Sequence, residues 1–362
     1  LKLSCLQENL NWALGIVRTA LPARVVRPIT ANILVQALPL KLVLTATDLE
    51  VATTVSIMAK VDETGELIVP ANKLIECISA LPQDRVDIST KDTKSLYVKC
   101  GGSNSRLAAL GSEDYPIIPE VEGESTEIVA GDLLKIISHT LFSVANDISR
   151  PIFTGINVQS SSGVLKFASA DGFRISIYSY PSNSEDINII IPSKSISALK
   201  GMLSDPLEMI SVTIDQKRIL FKSRSVQLIS QLLVGKFPEY MGLLPKSFGT
   251  QVTVPGMELL RAINSATVFE REGSIKVSIT KNKVTVSSRD DELGDNTTDI
   301  EAIVTGEDVK FAIKSKFMTE VLTVLKEGKV VLELVSSSNP IVVKNPADMN
   351  FVYVVMPMIV QW

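Results

Sequence analysis

A pattern that returns after about 120 residues constrains this chain of 362 residues more than any other feature. The segment LKFASADGFRISIYS (Leu165–Ser179) sets alternating apolar residues on both sides of an Asp171–Gly172 pair. That is a hairpin pattern with turn chemistry at its centre. LVLTATDLEVATTVS (Leu42–Ser56) has the same build, with Asp48 standing 123 residues before Asp171. A fainter echo, VTVSSRDDELGD, puts Asp290 another 119 residues on.

Amphipathic helical spacing recurs in step with the hairpins. The apolar stripes are Leu6, Leu10, Leu14, Val17 and Leu21; then Leu133, Ile137, Leu141 and Val144; then Leu259, Ile263 and Ala266. A second helix is expected after Pro70 and Pro192, with Ile313 in the equivalent third place. Proline suits a helix start, where its missing N–H leaves no bond unmade. Pro116, Pro238 and Pro357 mark the close of each unit. The spacing predicts three units, 1–122, 123–247 and 248–362, joined by the polar links Val121–Thr126 and Pro245–Thr250. Each reads as two helices packed on about eight strands of antiparallel sheet, an α+β fold.

Several function classes lose their raw material. Cys5, Cys77 and Cys100 are widely spaced with no Cys-x-x-Cys, and His139 is the lone histidine. Buried thiols in a reducing compartment are expected, with no metal, cofactor or His-based triad. No apolar run reaches the roughly 18 residues that span a bilayer. The start LKLSCLQENLNWAL lacks a cationic segment followed by a long apolar one, so no secretory signal and a cytoplasmic location are expected. A secreted repeat adhesin is not expected either, given the missing signal and the unpaired cysteines. Asp48, Asp171 and Asp290 would tempt an enzyme assignment, but acid–base catalysis needs two groups close together with opposed pKa values. Aspartates repeated on separate units read instead as turn-formers.

The polar helix faces lean mildly basic: Asn11, Arg18, Lys73, Lys135, Ser138, Lys194, Lys200, Arg261, Asn264 and Lys316, with Glu76, Glu258 and Glu320 among them. A formal charge of −4 does not conflict with a basic lining.

Four stretches in order, RTALPARVVRPITANILVQ (Arg18–Gln36), SADGFRI (Ser169–Ile175), GKFPEYMGLLP (Gly235–Pro245) and YVVMPM (Tyr353–Met358), make the chain resemble the bacterial sliding clamps, the beta subunits of DNA polymerase III. The resemblance spans essentially the whole length. It implies three clamp domains per chain and a head-to-tail homodimer closing a six-domain ring around double-stranded DNA, with helices lining the hole. Such a ring binds phosphate without reading sequence. It implies a non-catalytic processivity factor that tethers the replicative polymerase, the clamp loader and repair proteins through short peptide motifs.

Carried over residue by residue, the peptide pocket would be Phe153, Ala170, Gly172, Phe173, Arg174, Ile175, Pro238, Leu243, Val354, Val355, Met356, Pro357 and Met358. The DNA-facing cations would be the loop residue Arg24 with Lys73, Lys135, Lys194, Lys200, Arg261 and Lys316. The dimer contact would set Leu107 against Val268 and Phe269. Departures from the family pattern are Phe173 for a common His, Ala170 for a common Thr, and Pro151–Ile152 for an aromatic pair. The apolar tail Ile359–Trp362 is a further departure, expected to fold over the pocket or to fray.

Overall fold

The computed structural model describes residues 1–184, 187–245, 247–271 and 273–358, so the tail Ile359–Trp362 lies outside the described residues. Among the described residues six α-helices follow the repeat, two to each unit: α1 (Gln7–Val17), α2 (Ala71–Ser79), α3 (Ala130–Thr140), α4 (Ser193–Met202), α5 (Gly256–Thr267) and α6 (Ser315–Leu325). The helices start where a strand stops. Pro70 is the residue before α2, Pro192 before α4 and Pro255 before α5. Before α6 the position belongs to Lys314, not to Ile313, which is a fully buried strand residue.

The apolar stripes are the buried faces. α1 buries Leu10, Ala13, Leu14 and Val17 against the strands Lys41–Thr47 and Val51–Met58. α5 buries Leu259, Ala262, Ile263 and Ala266 against Lys283–Asp290 and Gly294–Glu301. The stripes run past the helices on both sides of α1, at Leu6 and Leu21, and after α3, at Leu141 and Val144. Leu6 is the last residue of the strand Lys2–Leu6 and is half exposed. Leu141 follows α3 in the tighter 3-10 turn Leu141–Ser143, which keeps a similar apolar spacing in a different helix.

Among the described residues the strands form four antiparallel sheets. An eight-stranded sheet runs Ser125–Val129, Met209–Ile214, Arg218–Lys222, Val226–Gln231, Val51–Met58, Lys41–Thr47, Asn32–Leu38, Gly65–Pro70. A nine-stranded sheet runs Asn188–Pro192, Gly155–Ser161, Val164–Ala170, Arg174–Pro181, Asp348–Val355, Ile341–Asn345, Lys329–Leu334, Thr250–Pro255, Ile303–Gly306. In each, strands from two different repeats meet at one seam: Ala52 faces Ile229, and Ile175 faces Val354. The remaining strands make a five-stranded sheet ending on Ser103–Ala108 and a four-stranded sheet ending on Gly294–Glu301.

Because repeats share sheets, the chain divides into two compact units rather than three. The first holds Leu1–Leu134 with Lys194–Leu232, and the second holds Lys135–Ser193 with the chain from Leu233 on. No helix among the described residues is long and apolar enough to cross a membrane. No group of three or more His, Cys, Asp or Glu among them could hold a metal ion.

His139 is a core residue. Its ring packs 4.8 Å from Phe351 and 5.3 Å from Tyr178, and Nδ1 donates to the Lys135 carbonyl at 2.7 Å. Burial holds its pKa below the ordinary value, despite the opposing carbonyl bond and the Asp348 carboxylate. A base with a lowered folded pKa binds protons more readily when unfolded. Its contribution to stability is therefore present above the unfolded value of about 6.5 and is lost as pH falls below it. Urea unfolding at a series of pH values should show this loss in the parent and a flatter slope between pH 7 and 5 in His139→Asn. Equal slopes would remove His139 as the titrating group.

Candidate functional site

The three repeated aspartates do one job. The N–H groups of Phe173 and Arg174 donate to Asp171 Oδ1 at 2.9 and 3.1 Å. Those of Glu50 and Val51 donate to Asp48 Oδ1 at 3.0 and 2.8 Å, and those of Glu292 and Leu293 to Asp290 Oδ1 at 2.9 Å each. Each carboxylate closes its own hairpin turn, as short acceptors beside free backbone donors do. Gly172, at φ 95°, supplies the left-handed residue that the second turn requires.

Arg174 anchors this turn from below. Its side chain is 4% exposed, and Nε donates to Asp171 Oδ2 at 2.9 Å. Nη2 donates to the Phe142 carbonyl at 2.7 Å, Nη1 pairs with Glu320 of α6, and the guanidinium lies 4.3 Å from the centre of the Phe317 ring. The fork is thus satisfied on every side, the condition under which a buried cation is tolerated. Arg174 borders the cavity above it while acting as a structural tie.

That cavity, of about 290 Å³, is lined by Phe153, Ala170, Gly172, Phe173, Arg174, Ile175, Pro238, Leu243, Val354 and Met356 of the expected residues. Phe237, Glu239, Tyr240 and Pro340 complete it. Its floor is the seam of the nine-stranded sheet, where Ala170, Ile175 and Val354 join a core with Ile177, Ile190 and Val342. One wall is aromatic: Phe153 meets Phe237 edge-on at 5.7 Å, and Phe237 meets Tyr240 edge-on at 6.1 Å. The rim is accessible, with Phe173 57% and Leu243 55% exposed. Burial pushes the Tyr240 phenol up to about 12, so it stays neutral. The cavity suits apolar side chains presented by a short segment.

Three expected residues do not line it. Alternation along Asp348–Val355 turns Val354 toward the cavity and leaves Val355 fully buried on the other face. After Met356 the chain leaves the cavity: Pro357 borders no part of it, and Met358 forms a bridge to Ala312, its N–H donating to the Ala312 carbonyl at 2.7 Å. Of the residues that sequence reasoning missed, Phe237, Glu239 and Tyr240 stood beside Pro238 in GKFPEYMGLLP. Pro340 had no local signal.

Of the seven cations, Arg24, Lys200 and Arg261 are exposed, and none of the three is in an ion pair among those described. The other four are paired: Lys73 with Glu76 at 2.9 Å, Lys135 with Asp348 at 2.8 Å, Lys316 with Glu320 at 3.9 Å, and Lys194 with Asp48. Carboxylates therefore damp the basic lean of the helices. Lys194, tied to the turn of the first repeat, is the least free to reach a phosphate. Leu107 sits half-buried on the edge strand Ser103–Ala108. Val268 is exposed, and Phe269 packs beside Gly294 at the start of the edge strand Gly294–Glu301.

Comparison with known proteins follows the same threefold division. Residues 1–119 match the model of the DNA polymerase III beta subunit N-terminal domain, residues 127–239 that of its central domain, and residues 241–359 that of its C-terminal domain. The chain is 28% identical over 353 residues to a beta sliding clamp of Staphylococcus aureus, covering 93% of this chain and 94% of the relative. Among solved structures, a DNA polymerase sliding clamp from Bacillus subtilis superposes with a TM-score of 0.94 at 24% identity, over 99% of both chains. A sliding clamp from Pseudomonas aeruginosa bound to griselimycin gives 0.93 at 25% identity, again over 99% of both.

Proposed function

The chain belongs to the DNA polymerase III beta subunit family, and from that premise we propose that two copies close head to tail into a six-domain ring around duplex DNA. It is a DNA sliding clamp, a processivity factor and a non-catalytic accessory subunit of the polymerase. The domains of the proposed ring are 1–122, 123–247 and 248–362, and its place is the bacterial cytoplasm.

One observation carries the ring. The same inter-repeat seam occurs twice in the chain, Val226–Gln231 against Val51–Met58 and Asp348–Val355 against Arg174–Pro181. The two halves of a third seam are left unpaired: Ser103–Ala108 is the counterpart of Val226–Gln231 and Asp348–Val355, and Gly294–Glu301 that of Val51–Met58 and Arg174–Pro181. Open edges of this kind invite pairing, and a head-to-tail contact that closes gives a ring rather than a fibre. Leu107 on the first edge and Val268 with Phe269 beside the second are the proposed apolar contacts.

The cavity over the second seam is the proposed docking site for partner segments from the replicative polymerase, the clamp loader and repair proteins. Arg24, Lys73, Lys135, Lys200, Arg261 and Lys316 are the proposed phosphate-facing cations, with Lys194 held back by Asp48.

A closed ring is retained by topology rather than grip. Loaded clamp should stay on nicked circular DNA through gel filtration and be lost once the circle is cut. Phe269→Glu puts a charge into the proposed contact. It should shift the sedimenting species from dimer to monomer and abolish retention on circles. Equal retention on circular and open linear DNA would refute encirclement, and a Phe269→Glu dimer would refute the contact.

A further inference from the structure

The first seam has its own depression. The N–H of Gln231 donates to the Glu50 carbonyl at 2.8 Å, as the N–H of Met356 donates to the Phe173 carbonyl at 2.8 Å. Pro116, the counterpart of Pro238, runs over the strands and helps enclose a groove of about 230 Å³. That groove shares Pro116–Pro119 and Ile229 with a wider cleft of about 730 Å³. All of these residues lie within the first compact unit.

We propose that this groove is a second peptide-docking site, taking an extended segment with a Lys or Arg beside an aliphatic residue. The proposal rests on reading the first cavity as a peptide pocket, since the two are built on the same seam. Their chemistry differs. Glu50 stands where the first cavity has Phe173, Gln231 where it has Met356, and Arg218 where it has Pro340. Glu50, Glu66, Glu113 and Glu120 line the groove and cleft, with Arg218 the one cation among the described lining residues. None of these four carboxylates has an ion-pair partner among the described residues. A cationic segment complements such a lining, and a purely apolar one does not.

Leu49 adds the apolar half. It occupies the turn position of Gly172, with φ 82° against 95°. A leucine held in this left-handed conformation is strained, which its own counterpart avoids by being glycine. The turn itself thus has no need of the side chain, which is 38% exposed at the groove. Leu49, Ile117 and Ile229 offer the aliphatic contact, with Glu50 beside it for the cation.

The test titrates a labelled Gly-Ser-Lys-Leu-Arg-Leu-Ser-Gly peptide, and a control with Glu for both cations, against the whole protein by fluorescence anisotropy. An uncharged Leu-Phe peptide reports the first cavity in parallel. The cationic peptide should bind at least tenfold more tightly than its control. Leu49→Gly and Glu50→Lys should each weaken it at least tenfold without changing the Leu-Phe peptide, and Leu49→Gly should melt no lower than the parent. Met356→Ala should weaken the Leu-Phe peptide severalfold and leave the cationic one unchanged. No binding of the cationic peptide at millimolar concentration overturns the proposal. So does binding that survives both groove variants, or that falls only with Met356→Ala. A Leu-Phe peptide indifferent to Met356→Ala overturns the reading of the first cavity instead, and the groove variants still decide the second.

Discussion

Replacing Arg174 by Met lowers the unfolding free energy by about 3–5 kcal/mol, the range for breaking a buried ion pair from one side. The substitution keeps most of the side-chain length but removes the charge and every side-chain donor that meets Asp171, Glu320 and the Phe142 carbonyl. Asp171 is left facing a hydrocarbon while still closing its turn, and the Phe142 carbonyl loses its partner. Glu320 is 30% exposed and can turn to water or to Lys316, so Glu320→Gln costs less. Urea unfolding of both variants beside the parent checks the ranking. A loss under about 1 kcal/mol for Arg174→Met would mean that the tie is incidental.

Truncating Met356 to Ala weakens an apolar partner peptide by about fourfold. Full burial of a Met side chain is worth roughly 2 kcal/mol, and each 1.4 kcal/mol is a factor of ten in affinity. Met356 is 41% exposed in the free chain, so about 0.8 kcal/mol of that burial remains to be gained when a ligand arrives. Pro357→Ala and Met358→Ala, which touch no part of the cavity, leave the affinity within about twofold. Anisotropy titration of a labelled Leu-Phe peptide separates the two cases. A larger effect at Met358 than at Met356 would move the site toward the Ala312 bridge.

Much of this architecture was legible from periodicity. Residues such as Leu10, Leu14, Leu259 and Ile263 recur at helical spacing because one helix face packs on a sheet, and that face is buried as expected. The aspartates were legible as turn-formers because a carboxylate two residues before a free N–H has one common use. Less legible was anything set by strand direction near a chain turn. YVVMPM gives no sign of where alternation stops, so Val355 and Met358 read as wall residues although one faces the core and the other bridges to Ala312. Pairing between distant charges was likewise hidden. Nothing in the separation of 146 residues between Lys194 and Asp48, or between Arg174 and Glu320, marks them as partners. Periodicity alone did not show the shared sheets either, because a repeat visible in sequence need not be a unit that buries its own core.

That last feature governs how the chain emerges from a ribosome. Val51–Met58 waits for Val226–Gln231, and Arg174–Pro181 waits for Asp348–Val355. Each pairing closes a loop of about 170 residues, far beyond the local contacts that fold fast. A nascent chain that has delivered only its first repeat therefore holds an open, apolar strand edge until most of the second has been translated, and the second repeat then repeats the exposure toward the third. Nascent chains in this state are natural clients for chaperones that cover strand edges. Dividing the gene at the repeat boundaries would leave those edges permanently bare, whereas fragments cut to preserve each seam would carry their own partners.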